Sequence, residues 1–451
     1  MGITALLVLA VLEIALAVRT CRNRPEKKIW RRDRLVVRGA EIALILLHLL
    51  TSAGQKWRFV PVLGFLVILC IIAGLSWLIG RNKEDGVKKA GGAVAGCILC
   101  IFACALLLLP AFIFTGYKGL PVTGNHEIGE SSAILIDSSR TDPFEQDGSF
   151  REVPVHFYYP ADAAPGERFP LVVFSHGAFG YYQSNTSTYM ELASNGYVVA
   201  ALDHPHHAFF TEDTEGQTVL VDMDFINTAL NLNSETDKQR QLELYRDWMG
   251  LRVPDMSFAL DEIKAAAGGQ PDESWFIPEK NRDAVLAALA RTDVSKIGLM
   301  GHSMGGATSV QVGRERDDIT AVIDLDGTML GEYLAVENGE LAVNYEKYPL
   351  PVLDLNNWES YNDQLEYTAQ GYAYPNTTVI SGAEKGFRAG IRDTEHMDFT
   401  DLPLLSPTLG KLLGSGERGT EETMTIVNSL VLDFFNCYLK GEGEFTVQDI
   451  Y

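Results

Sequence analysis

Cysteine is nearly missing from the long C-terminal part of this 451-residue chain. Of six cysteines, Cys21 lies in a basic segment, Cys70, Cys97, Cys100 and Cys104 lie in apolar runs, and only Cys437 comes later. A disulfide within the C-terminal part is thereby excluded. The CILC at 97–100 has a zinc-like spacing, but two thiols inside a hydrocarbon run lack the further ligands a zinc site needs, so no metal is expected there. Basic residues are scarce as well: beyond residue 116 there are 22 Lys and Arg against 53 Asp and Glu, whereas the first 116 residues hold 15 against 6. A surface this acidic repels phosphate backbones, which argues against nucleic acid as a partner. Long hydrophobic runs are also absent after residue 114.

Before residue 114 they dominate. Four apolar runs cover 3–18, 40–53, 59–79 and 90–114, and the last two are free of charge and long enough to cross a bilayer at about 1.5 Å per residue. The first carries Glu13 and the second Glu41 and His48. These groups are expected to face a neighbouring helix or a helix end, and transport through the block is not expected. The first run has no basic start and is followed by RTCRNR, so it reads as an anchor and not as a cleaved leader. An all-α transmembrane region of about four helices, residues 1–116, is expected. Nine basic residues lie between 19 and 38 and four between 81 and 89, while only Lys56 and Arg58 separate the second and third runs. With four spans both basic loops are cytoplasmic, which makes this an integral protein of the cell membrane with its large domain extracytoplasmic. That sidedness depends on the second run.

A linker is expected at 117–130 and one large domain at 131–451. Short, β-branched, nearly continuous apolar stretches follow: SAILIDSS (132–139), VPVHFYYPA (153–161), FPLVVFSHG (169–177), YVVAALDH (197–204), KIGLMGHS (296–303), TAVIDLDG (320–327), LPVLDLNN (350–357) and NTTVISG (376–382). Such runs suit strands buried on both faces of a parallel sheet. Helical patterns at 187–195, 307–314 and 425–439 alternate with them, which indicates a mostly parallel, doubly wound α/β domain. Residues 208–292 show no clear strand. They include a polar helical stretch at 234–251 and read equally well as a cap insertion or as ordinary crossover helices.

The segment GLMGHSMGGATS (298–309) sets Ser303 between glycines, after a strand and before a helix. A nucleophile on such a sharp turn needs small neighbours, which Gly301, Gly305 and Gly306 supply. A serine hydroxyl also needs a base. Only one histidine follows Ser303 in the chain, His396, and it lies beyond the last expected strand. The acid that orients it is Asp326 or Asp354, both near strand ends, and spacing leaves the two open. Backbone donors for an oxyanion are expected from Met304 and from the loop after FPLVVFSHG, where Ala178 is preferred and Gly177 is the alternative. His176 is read as a buttress of that loop. His204, His206 and His207, in DHPHH, are read as substrate or cap contacts and not as a metal site. The chemistry requires neither metal nor cofactor. Phe179, Tyr181, Tyr182, Phe209 and Phe210 are equally candidates for an apolar lining or for core.

The segments LVVFSHGAFG, YVVAALDH and GHSMGGATSV, the acid 23 residues beyond the serine and the lone downstream histidine resemble the plasma-type platelet-activating factor acetylhydrolases and their bacterial relatives. The resemblance covers about residues 150 to 410. It implies an α/β-hydrolase fold, Asp326 in preference to Asp354, oxyanion donors at Ala178 and Met304, and calcium-independent cleavage of short or oxidised acyl esters of phospholipids. The N-terminal membrane block departs from that family's secreted pattern. The expected function is a membrane-anchored serine ester hydrolase acting on an amphiphilic or lipid ester. A general carboxylesterase or thioesterase, a cutinase-like polyester hydrolase, and a membrane sensor with a ligand-binding hydrolase-like domain are the alternatives.

Overall fold

The nearly uninterrupted apolar runs of the C-terminal part become the centre of one nine-stranded sheet. The computed structural model describes residues 2–51, 56–83, 86–114 and 119–451. Residues 1–118 with 404–409 make one compact unit, and 119–403 with 410–451 the other.

In the first unit the helices are α1 (Gly2–Asn23), α2 (Lys27–Thr51), α3 (Val60–Gly80), α4 (Ala90–Leu107) and the short α5 (Leu109–Ile113). Among the described residues three helical stretches are long and apolar enough to cross a membrane: Gly2–Asn23, Lys56–Gly80 and Ala90–Leu107. The second of the four expected runs does not meet that measure of length and apolarity among the described residues. The second apolar run sits in α2, whose first half, KKIWRRDR, is too charged for a span of this kind, and residues 52 and 53 of that run lie outside the described residues. Even so, α2 runs antiparallel to α3, with Arg31 Nη1 on the Gly80 carbonyl (3.2 Å) at one end and the His48 and Phe59 rings 4.8 Å apart at the other. The two basic segments meet: Glu26 bridges Val87, and the Lys27 amide donates to the Gly86 carbonyl (2.9 Å). Glu13 of α1 and Glu41 of α2 do not form a polar path. Both are buried against Arg38, Glu41 at 2.5 Å.

The second unit holds β1 (Ile128–Thr141), β2 (Phe150–Pro160), β3 (Phe169–Ser175), α6 (Thr186–Ser194), β4 (Val198–Leu202), the hairpin of β5 (Phe210–Glu212) and β6 (Thr218–Leu220), α7 (Met223–Leu230), α8 (Lys238–Ala266), β7 (Trp275–Phe276), α9 (Arg282–Ala290) and β8 (Thr292–His302). There follow α10 (Met304–Glu315), β9 (Ala321–Leu325), the hairpin of β10 (Tyr333–Glu337) and β11 (Glu340–Val343), β12 (Val352–Asn357), α11 (Trp358–Ala369), α12 (Pro375–Gly382) and β13 (Gly386–Ile391). The chain closes with α13 (Leu402–Leu405), α14 (Pro407–Leu412) and α15 (Thr420–Phe435). The sheet order is β13-β12-β9-β8-β3-β4-β2-β1-β7, parallel from β13 to β4 and antiparallel beyond. Leu171, Val173 and Leu299 pack under Met256, Leu260 and Val310, while Val172, Phe174 and Met300 pack against Tyr189, Val427 and Phe434. That double burial explains why alternation vanishes from these strands.

At the far side β1 is bonded to β2 along its length but to β7 only at Ile134 and Leu135. A register shift separates Asp137 from Thr141, and Asp137 accepts from the Ser139 amide (3.0 Å) and from Arg140 Nε (2.5 Å).

Two expectations change in this unit. NTTVISG is helix α12, not a strand: Pro375 sits in the first turn, where its missing N–H costs nothing, and only Pro375, Asn376 and Val379 are buried, a one-sided helical spacing. The last strand is instead β13, GFRAGI, an edge strand whose Arg388 breaks the apolar pattern and lies over the Tyr361 ring at 5.2 Å. The expected linker is also partly structure. Residues 117 and 118 lie outside the described residues, the His126 amide donates to the Ser194 carbonyl (3.1 Å), and 128–130 belong to β1. Within 208–292, α8 is a crossover helix packed on the sheet, and the β5–β6 hairpin with α7 is the added excursion.

Arg38 carries both buried acids of the helical unit, so Arg38→Leu should destabilise the chain by about 3–5 kcal/mol, because it leaves uncompensated buried charge. The measure is the thermal unfolding midpoint and monodisperse yield of the detergent-solubilised chain, with Arg38→Lys as the milder variant. An unchanged midpoint in Arg38→Leu would contradict the pairing.

Candidate active site

The β8 strand ends at His302 and α10 begins at Met304, so Ser303 carries the whole change of direction. Its φ of 55° and ψ of −124° lie where L residues are strained. Its amide donates to the Leu325 carbonyl (2.8 Å) and its own carbonyl accepts from the Ala307 amide (3.1 Å). The glycines around it are obligatory for space. A Cβ at Gly301 would lie 2.2 Å from the Gly305 carbonyl carbon, one at Gly305 1.9 Å from the Ser175 oxygen, and one at Gly306 1.8 Å from Asp324 Oδ1. Ser303 itself is only half-buried and open to a ligand.

His396 opens a one-turn helix five residues after β13, and its Nδ1 donates to Asp326 Oδ2 at 2.6 Å. Asp326 follows β9 with a φ of 57° and is buried. Its two oxygens accept from the amide and the Nδ2 of Asn357, each at 2.7 Å. Asn357 closes β12 and caps α11, so one residue joins two elements to the acid. The His302 ring lies 4.6 Å from the His396 ring, and its Nε2 donates to the His396 carbonyl (3.2 Å). Burial opposes the imidazolium of His396, but the hydrogen bond and charge of Asp326 outweigh it and raise the pKa above 6.5. The His396 side chain stays 44% exposed, which leaves its Nε2 approachable.

Asp354 does not reach His396. It stands opposite Asp324 in the β12–β9 register, accepts from Asn376 Nδ2 (3.2 Å), and is pushed by burial up to about 7. Of the two acids that spacing left open, Asp326 is the one in contact with the histidine.

The loop after β3 approaches Ser303 closely: a Cβ on Gly177 would lie 3.2 Å from the Ser303 Cβ. Phe179 takes a φ of 60°, and its amide donates to the His207 carbonyl (3.2 Å). The Ala178 amide donates to no carbonyl among the described residues. Met304, first in its helix, has no intrahelical partner for its N–H. Two free N–H groups therefore flank the serine, an arrangement able to hold a negatively charged oxygen.

Beneath this loop lies a buried polar network that the sequence reading did not find. Ser175 Oγ donates to His204 Nε2 (2.8 Å), and His204 Nδ1 donates to Asp255 Oδ2 (3.0 Å). Asp255 is held by Arg151 at 2.8 Å and 3.1 Å, and Arg252 donates to the His176 carbonyl (2.5 Å). Burial keeps His176, His204 and His207 below the ordinary histidine pKa, so they are neutral donors and acceptors. The available signal was the charged pair in LRVPD, three residues apart within a helix that had to bury one face. His206 lies instead beside Asp142 and Glu145. Among the described residues no three metal-ligating side chains converge. Of the five aromatics, Phe179 rests on Phe225 (5.3 Å), Tyr182 stacks on His156 (3.4 Å) and Tyr181 approaches Phe210 (5.3 Å), whereas Phe209 is 58% exposed.

Gly305→Ala has no room to relax and should cost about 3 kcal/mol, lowering the thermal midpoint. Gly382→Ala, whose Cβ meets nothing within 4 Å, should leave the midpoint unchanged in the same melt. Equal midpoints for the two variants would refute the crowding.

Residues 148–450 match the family model for platelet-activating factor acetylhydrolase, isoform II. The platelet-activating factor acetylhydrolase of Cavia porcellus is 26% identical over 294 residues, covering 62% of this chain and 60% of the relative. That of Gallus gallus is 25% identical over 313 residues, covering 63% and 65%. This chain thus spans about three fifths of the length of the relatives it matches. A solved ferulic acid esterase from Streptomyces cinnamoneus superposes with a TM-score of 0.50 at 22% identity, covering 72% of this chain and 95% of that one, and it shares the α/β-hydrolase fold. With two thirds of its length inside the family model, the chain belongs to the platelet-activating factor acetylhydrolase isoform II family.

Proposed function

We propose that this chain is a membrane-anchored serine hydrolase of carboxylic esters, acting on short-acyl or lipid-type substrates. The observation that carries the reading is the 2.6 Å Asp326–His396 bond, together with a strained, half-buried Ser303 that follows His302, whose ring lies 4.6 Å from that of His396. Ser303 Oγ attacks the ester carbonyl while His396 Nε2 takes its proton. The carbonyl oxygen gains the negative charge and is received by the Ala178 and Met304 amides. As the C–O bond breaks, the imidazolium protonates the departing alcohol, leaving an acyl group on Ser303. Water, deprotonated by His396, then releases the acid and restores the serine. Asp326 fixes the tautomer and stabilises the imidazolium.

The acetylhydrolase names of the relatives support a lipid acetyl ester as substrate, and the exposed Phe209, Phe210, Leu220 and Met223 suit an amphiphile. The membrane reading rests on the three apolar helices. For sidedness, the meeting of both basic segments at one end of the helical unit supports the cytoplasm there. Arg58 and Trp57 contact Phe114 at the other end, which supports an exit of the chain on the outer side. An impermeant maleimide should then label Tyr345→Cys, a site 76% exposed, on intact cells; labelling only after lysis would reverse the orientation.

Hydrolysis of p-nitrophenyl esters of increasing chain length and of an acetyl phospholipid tests the activity, with the full chain in detergent. Ser303→Ala should lose about 10⁶-fold in kcat and all fluorophosphonate labelling. Equal activity in the variant would remove Ser303 from the reaction. His396 works only when neutral and its pKa is raised, so kcat/KM should fall as pH drops through a midpoint above 6.5. Asp326→Asn should move that midpoint to lower pH and reduce kcat about 10⁴-fold. A midpoint unmoved by that change would separate the acid from the histidine's titration.

A further inference from the structure

Arg252 is fully buried on α8, yet among the described residues its guanidinium pairs with no carboxylate. It donates to the His176 carbonyl (2.5 Å), the Gly177 carbonyl (3.3 Å) and His207 Nδ1 (3.2 Å). Asp255, one turn along the same helix, is already taken by Arg151, Arg140 and His204. Keeping an unneutralised cation away from water is costly, and burial lowers its pKa accordingly. A position so expensive needs a return, and the carbonyls it grips indicate one.

The Gly177 oxygen also accepts from His176 Nδ1 (2.7 Å) and from the Gly180 amide (3.1 Å). In a trans peptide the C=O and the following N–H point in opposite directions. Fastening the Gly177 oxygen on the Arg252 side therefore aims the Ala178 N–H away from it, and Gly177 is the residue that abuts Ser303. The positive charge lies one peptide group from that N–H, inside a region of low polarity where electrostatic effects are strong.

We propose that Arg252 is a positioning residue for acyl transfer: it locks the Gly177–Ala178 peptide so that the Ala178 N–H meets the oxyanion, and its unneutralised charge strengthens that donor as negative charge develops. The inference rests on the serine hydrolase reading above.

The test compares the full chain in detergent with its Arg252→Met and Arg252→Lys variants on p-nitrophenyl acetate. A trifluoromethyl ketone, whose serine adduct carries a charged tetrahedral oxygen, reports oxyanion binding separately. End-point fluorophosphonate labelling counts folded, competent sites. Arg252→Met should lower kcat about 100-fold per labelled site, the loss typical of one oxyanion donor. Its KM should stay within about threefold, because the contact matters only when charge develops. The ketone's inhibition constant should rise by the same factor as kcat falls. Arg252→Lys keeps the charge without the planar fork and should lose less in both measures, in the same proportion. Unchanged kcat in Arg252→Met, or a fall in kcat without a matching loss of ketone affinity, would overturn the proposal. If Arg252→Met gives no labelled sites, the same comparison in Arg252→Lys decides. An unmodified chain that is neither labelled nor active would bring down the hydrolase reading itself, and this inference with it.

Discussion

The first turn of α10 lies against the backbone of Ser175 so closely that no side chain fits at Gly305, and the rest of the site depends on that approach. It holds the chain at Ser303 in a conformation that an L residue would not otherwise choose. It brings the loop after β3 onto the serine, where a Cβ on Gly177 would lie 3.2 Å from the Ser303 Cβ. It also sets the His302 ring beneath His396, linking the end of β8 to the turn beyond β13. Strain at Ser303, Asp326 and Phe179 is concentrated where these segments converge and is held by the packing around them.

How much of this was legible depended on whether the determinant was local. Strands buried on both faces announce themselves as unbroken apolar runs, and the glycines of the elbow mark a steric demand that only they meet. The lone downstream histidine was found by elimination. What escaped detection was settled by distance in sequence. NTTVISG reads as a strand by composition, but Pro375 and a one-sided burial make it a helix; the true last strand, GFRAGI, is masked in the sequence by an arginine that lies over the Tyr361 ring. Asp326 and Asp354 stand on neighbouring strands in nearly equivalent places, and what separates them is Asn357, which turns one toward the histidine while the other is enclosed beside Asp324. Arg252 and Asp255 were hidden because a helix of mixed polarity looks solvent-facing until its neighbours are known.

The two units treat buried charge in different ways. In the helical unit one arginine serves two carboxylates drawn from two helices, so the cluster ties the helices together. Under the β3 loop two arginines diverge in purpose. Arg151 is neutralised by Asp142 and Asp255, whereas Arg252 donates to two main-chain oxygens and the His207 ring and pairs with no carboxylate among the described residues. The first arrangement stabilises a fold; the second shapes a backbone.

The outer margin of the sheet has a different consequence. Beyond the two residues that β7 covers, the Ile136 amide donates to the Ser274 carbonyl and Asn281 Nδ2 to the Ser132 carbonyl, so the outer side of this 14-residue strand is covered at its centre and far less toward its ends. Such a margin is a template on which another molecule's strand can add. Here the register shift bends it, and Asp137 engages the Ser139 amide and Arg140 near its end, so neither a flat nor an uncharged ribbon is presented. Copies of one chain at high local density meet margin to margin. A bent and charged margin disfavours strand addition between them.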